Sequence, residues 1–147
     1  VDDMDWALLR ELQDDARLSF SELSRRVHLS PPAVAERVRR LEESGVIVGY
    51  RAHVDLTAAG RPVVALIQMS CYGAGCVLRD PAVPEWPEIL EIHRITGDAC
   101  SVLKVAATSM DAFEALIDRL APHGRPSSTL ILSTPLAWRP LTPPPTP

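Results

Sequence analysis

Arg37 and Arg40 share one helix face with Ala33 and Glu36, while Val34, Val38 and Leu41 recur at helical spacing on the other. Long cationic side chains on a face kept clear of apolar residues can grip phosphates or fork onto the O6 and N7 atoms of guanine. Pro32 lies at the start of the same segment, and Arg25, Arg26, Arg39 and Arg51 flank it as candidate phosphate ligands. The same composition also suits a solvated helix face laced by pairs such as Glu36 with Arg40. The surrounding elements decide between the two.

Leu23 and Val27 mark a short amphipathic helix before the arginine helix, and the two are joined by a tight turn. Ser19 and Glu22 have the spacing of a capping box at the first helix start. Ser30 followed by Pro31 supplies an N-cap and then a residue preset for the first helical position. Gly45 can take the left-handed conformation that ends the second helix. Val46 to Val54 then has strand composition, with Arg51 near its middle. A helix-turn-helix needs this division, because its second helix must pack inward and still offer polar side chains to a groove.

Upstream, Asp3 is expected to cap a first helix whose Leu8, Leu9, Leu12 and Ala16 face the other two. Downstream the grammar changes. Residues 55–61 form a polar connector. Pro62 to Cys71 reads as a strand, a short helix around Pro87 to Leu90 leads into a second, and Ser101 to Thr108 is a third. Met110 to Leu120 is an amphipathic helix with Phe113, Leu116, Ile117 and Leu120 on one face, and Ser127 to Thr134 is the last strand. The order βαββαβ predicts a ferredoxin-like layer of two helices on one face of an antiparallel sheet. The strands are apolar on both faces, so a second subunit is the expected cover for the other side. The proline-rich end, residues 137–147, is expected to be an extended solvated tail.

At 147 residues with net charge −4 the chain suits one ordinary domain or two small ones. The acidic balance comes from Asp2, Asp3, Asp5, Glu11, Asp14 and Asp15 in the first helix. Residues 17–51 carry seven arginines against four glutamates, so a phosphate backbone would meet a local excess of positive charge. Cys71, Cys76 and Cys100 have no paired spacing; zinc sites show tighter pairs, and a reduced cytoplasmic protein without a metal is the expectation. No long apolar run suggests a membrane span. Spacing alone identifies no Ser/His/Asp or paired-carboxylate arrangement. Thr96, Gly97 and Asp98 lie between two strands, where an ordinary hairpin turn is the plain reading.

The segment from Met4 to Asp55 resembles the amino-terminal half of the Lrp/AsnC (leucine-responsive regulatory protein) family, and RITGDACSVLKVA, from Arg94 to Ala106, resembles that family's glycine-aspartate loop. The resemblance implies a winged helix-turn-helix over residues 1–54, a connector over 55–61, and an amino-acid-sensing, oligomerising ferredoxin-like domain over 62–136. It also implies a transcription regulator of double-stranded DNA, built as a homodimer that assembles to a tetramer or octamer. Thr96, Gly97, Asp98, Ala99 and Cys100 would then bind a free amino acid between dimers, with Ser128 and Thr129 as secondary candidates. Ala99 and Cys100 depart from the family, where an aromatic residue and a second aspartate commonly follow Gly-Asp. Two rivals stand beside this expectation. One is a siroheme-decarboxylase-like enzyme, which would need cations and a histidine converging on the sheet; His93 and Arg94 alternate to opposite faces. The other is an architectural DNA binder with no effector. The leading expectation is a regulator that is not an enzyme and carries no cofactor.

Overall fold

The computed structural model describes residues 1–145, so Thr146 and Pro147, the end of the expected tail, lie outside the described residues. The chain forms two compact units, Val1–His53 with the segment from Leu136 onward, and Val54–Pro135.

The first unit is built on α1 (Asp3–Asp14), α2 (Phe20–Val27) and α3 (Pro31–Glu43). The caps explain these boundaries. Ser19 and Glu22 form a reciprocal capping box, Ser30 Oγ accepts from the amide of Ala33 with Pro31 in the first turn, and Gly45 ends the run at φ 75°. Asp2, rather than Asp3, caps α1, in a second box closed by Asp5. Leu8, Leu23, Val27, Val34 and Val38 make the core, each buried side chain contributing about 1.5–3 kcal/mol of transfer free energy. Ala16, expected on the packed side of α1, lies beyond the helix end and is exposed.

Arg37 departs from the outward placement its spacing predicts. Its Nη1 donates to Asp2 Oδ2 and to Asp5 Oδ1, both at 2.7 Å, and the Asp5 residue is only 3% exposed. Helical periodicity gave its direction on α3; the packing of α1 against that side turned the guanidinium into an interhelical clamp. Val46 to Val54 also differs from expectation: it forms no strand and is mostly exposed. A strand exists only as part of a ladder, and no strand among the described residues pairs with this segment. The carboxyl-terminal segment is not wholly free, since Gln13 exchanges two hydrogen bonds with the backbone of Leu141, at 3.1 and 2.7 Å.

The second unit is an antiparallel sheet in the order β2-β3-β1-β4, from β1 (Val63–Ser70), β2 (Ile89–Arg94), β3 (Ser101–Ala107) and β4 (Arg125–Leu130). With α4 (Met110–Leu120) between β3 and β4, this is the expected ferredoxin-like order. The helix expected around Pro87 to Leu90 is absent. A single 3-10 turn, Val83–Glu85, precedes that position, and β2 already begins at Ile89. Pro81, Pro84 and Pro87 deny a longer helix three backbone donors. β4 begins and ends earlier than the predicted Ser127–Thr134 because it pairs with β1 from Ser70 to Ala65. Ile67, Met69, Leu103 and Val105 of the sheet are fully buried in one cluster with Leu116 and Leu120 of α4. On the other face, Val64 and Val102 are half-buried and Leu66 is 40% exposed.

The Arg37 clamp generates a stability prediction. Arg37→Ala strands the buried Asp5 carboxylate and should cost about 1–3 kcal/mol in urea unfolding, whereas Arg40→Ala should stay within about 0.5 kcal/mol. Arg37 lowers the pKa of Asp2 from 3.8, so the part of the clamp made to Asp2 is present above that pH and is lost as the pH falls further. The gap between wild type and Arg37→Ala should therefore narrow on acidification below 3.8; equal stability of the two at neutral pH would contradict the clamp.

Candidate nucleic-acid interface and ligand loop

α3 presents Pro32, Glu36, Arg39 and Arg40 to solvent, with Ala33 half-buried at the same end. Arg40 is the least committed of its arginines: Nη2 stands 3.9 Å from Asp5 Oδ2, with the side chain 56% exposed. Arg39 bridges Glu36 and Glu43 along the helix, first Glu36 and then Glu43 raising its pKa. Arg26 of α2 pairs with Glu11 of α1 at 2.8 Å. Arg25 and Arg51 are exposed and join no ion pair among the described residues. Exposed pairs are worth about 0–1 kcal/mol, so exchanging a carboxylate partner for a phosphate costs Arg26 or Arg39 little. Arg37 is different, because leaving its carboxylates would expose the cost of burying Asp5.

In the second unit Thr96, Gly97, Asp98, Ala99 and Cys100 are brought together between β2 and β3. The amide of Ile95 donates to the carbonyl of Cys100 at 3.2 Å and that of Cys100 to Met69 at 2.8 Å, which closes the loop against the end of β1. The loop lines a cavity of about 400 Å³ whose other wall includes Cys71, Tyr72, Cys76, Leu78 and Arg79. Arg94 also lines it, so two guanidinium-bearing residues border a space that could hold a carboxylate. Neither was among the sequence candidates. Arg94 had a signal, standing two residues before Thr96; Arg79 had none, because an irregular segment brings it there. Ser128 and Thr129 are not part of this cavity and instead pair with Ile67 and Leu66 in the middle of the sheet.

The cysteines also depart from their reading as separate residues. Cys71 and Cys76 are joined as a disulfide, and Cys76 Sγ lies 3.8 Å from Cys100 Sγ. Their sequence spacing concealed this, since β-register, not spacing, delivers Cys100 to the other two. His93 pairs with Glu91 at 2.9 Å, opposite Val102 on the open sheet face, while Arg94 opposite Ser101 falls on the other. Histidine and arginine therefore do not converge. No helix among the described residues is long and apolar enough to cross a membrane.

Comparison with known proteins places these units. Residues 1–42 match the AsnC-type helix-turn-helix domain and residues 81–140 the Lrp/AsnC ligand binding domain. The HTH-type transcriptional regulator LrpC of Bacillus subtilis is 36% identical over 90% of this chain and 92% of its own. Its structure aligns with TM-score 0.88 at 35% identity, covering 94% of this chain and 99% of that one. A feast or famine regulatory protein of Mycobacterium tuberculosis complexed with L-methionine aligns with TM-score 0.88 at 35% identity, over 97% and 99% of the two chains. A transcriptional regulator of Neisseria meningitidis, also as an L-methionine complex, aligns with TM-score 0.86 at 31% identity, over 96% of each. With a helix-turn-helix whose second helix is polar outward, a ferredoxin-like sheet, and homology across both, this chain belongs to the Lrp/AsnC family of transcriptional regulators.

Proposed function

We propose that the protein reads specific duplex DNA through the exposed face of α3 and that an amino acid bound at the Thr96–Cys100 loop modulates that reading. The observation that carries the proposal is the placement of Arg40 on a helix whose apolar side is fully engaged, so the side chain is open to a groove. Pro32, Ala33, Glu36 and Arg40 would meet base edges, with Arg25, Arg26, Arg39 and Arg51 on phosphates. Arg37 contributes by positioning α1 against α3 rather than as a primary base contact. The L-methionine complexes of the Mycobacterium and Neisseria relatives support an amino-acid effector. In this chain Arg79 or Arg94 suits the effector carboxylate, and Asp98 or Thr96 the ammonium group.

The protein acts by binding rather than by catalysis, in the cytoplasm where its DNA lies, and carries no prosthetic group. The open face of the sheet, with Val64, Leu66 and Val102 side by side, suits a two-fold partner. Further association into tetramers or octamers would let an effector between dimers shift the population of assembly geometries. Ser128 and Thr129 stand on strand β4 and would serve the effector only where another subunit's loop approached them.

Three outcomes test this reading. Arg40→Ala should cost about 1–3 kcal/mol in affinity for a mapped operator if it reads a base, and Arg25→Ala or Arg51→Ala should lower the salt slope by about 1 each. Unchanged affinity and slope in all three folded variants would refute the interface. Light scattering should show a dimer or larger at micromolar concentration, and footprints should show half-sites about 10 base pairs apart or a multiple of it; a monomer would refute the symmetry. Calorimetry across the twenty amino acids should favour a large apolar or aromatic side chain, because Ala99 leaves room beside the loop. Binding of none would reject the effector site, and preference for glycine or serine would reject the size argument alone.

A further inference from the structure

Three sulfur atoms converge in the wall of the loop cavity. The pairing of Met69 with Ser101 sets the register of β1 on β3, so Cys71, just past β1, and Cys100, just before β3, emerge at the same sheet end. Cys76 returns to them through the turn after Gly73, its amide donating to the Gly73 carbonyl at 3.4 Å. Gly124 packs so closely that a Cβ there would meet Cys71 Cβ at 2.6 Å and the Ser70 carbonyl at 2.9 Å, so only glycine fits beside Cys71. The Sγ atoms of Cys71, Cys76 and Cys100 all lie within 4.8 Å of one another.

We propose that the reduced chain binds one thiophilic d10 cation, with Cd2+ as the probe and Zn2+ as its competitor, through the thiolates of Cys71, Cys76 and Cys100. A disulfide needs only two cysteines; the third requires another explanation. Thiolates that share a tetrahedral zinc at about 2.3 Å stand roughly 3.8 Å apart, which is the 3.8 Å separating Cys76 from Cys100. Among the described residues Cys100 otherwise has only weak thiol contacts, to the Met69 carbonyl at 3.0 Å and to Ser101 Oγ at 3.7 Å. All three cysteines line the cavity, so water or an exogenous donor could reach a fourth coordination position. Three thiolates and a dication leave one negative charge, and Arg79 and Arg94 line the same cavity to offset it.

The oxidation state gates the site. A dithiol reductant transfers two electrons and two protons to the Cys71–Cys76 disulfide, giving two thiols and the reductant's own disulfide. Metal binding then releases three protons, one from each thiol. Reoxidation by a disulfide of the same class would remove two ligands and expel the ion. This assignment stands on the cysteine geometry and does not depend on which amino acid, if any, the loop takes.

The test uses the full chain, reduced and kept without oxygen. Titrated Cd2+ should bind one ion per chain with a thiolate-to-metal charge-transfer band in the ultraviolet, release three protons, and be displaced competitively by Zn2+. The oxidised wild-type chain should bind none, which supplies a comparison free of any substitution. Cys100→Ser leaves the Cys71–Cys76 pair intact and should weaken the reduced site by more than about 100-fold, beyond what loss of an outer-shell group costs. Absence of a one-to-one complex in the reduced wild type, or equal affinity of its oxidised form, would overturn the proposal. So would wild-type affinity in folded Cys100→Ser.

Discussion

The central position of β1 is the constraint on which the second unit depends. It is hydrogen-bonded to β3 on one side and β4 on the other, so its register assigns residues to faces for three strands at once. Ala65, Ile67 and Met69 go under α4, and Val64, Leu66 and Gln68 go to the open face. A slip of one residue would exchange the two sets. The same register delivers the Thr96–Cys100 loop and Cys71 to one end of the sheet, so the cavity there is a consequence of strand pairing rather than a separate feature.

The first unit solves a different problem. Three short helices have few apolar residues to bury, and one of those helices must leave a whole face unpacked. Reciprocal caps at Asp2 and Ser19 help by satisfying helix-end amides that the small core cannot shelter. Arg37 helps by joining α3 to the start of α1 through two carboxylates. The acidic start of the chain thus has a structural use: Asp2 and Asp5 tie it to α3. The negative net charge of the chain and the exposed arginines of α3 are parts of one arrangement.

Both units also leave edges and faces that one chain does not complete. The extended segment Val46 to Val54 has strand composition without a ladder, and the sheet has an uncovered face carrying Leu66. Such surfaces are tolerated when another chain is expected to meet them.

What could be read without a structure was whatever depends on neighbours a few residues apart. Helical periodicity located α4 at both ends, the capping box at Ser19 and Glu22 marked the start of α2, and Ser30-Pro31 and Gly45 marked the ends of α3. Short apolar runs found β1 and β3, the order of elements predicted the ferredoxin-like layer, and family resemblance singled out the loop. Tertiary structure decided what distant residues do to one another. It tied Arg37 to Asp2 and Asp5, replaced an expected helix with one 3-10 turn among prolines, and left Val46 to Val54 without a strand partner. It kept Ser128 and Thr129 away from the loop and brought Cys100 to Cys71 and Cys76. The physical reason is the same in each case: spacing along a chain fixes the direction of a side chain, but only packing and strand register determine what lies in that direction.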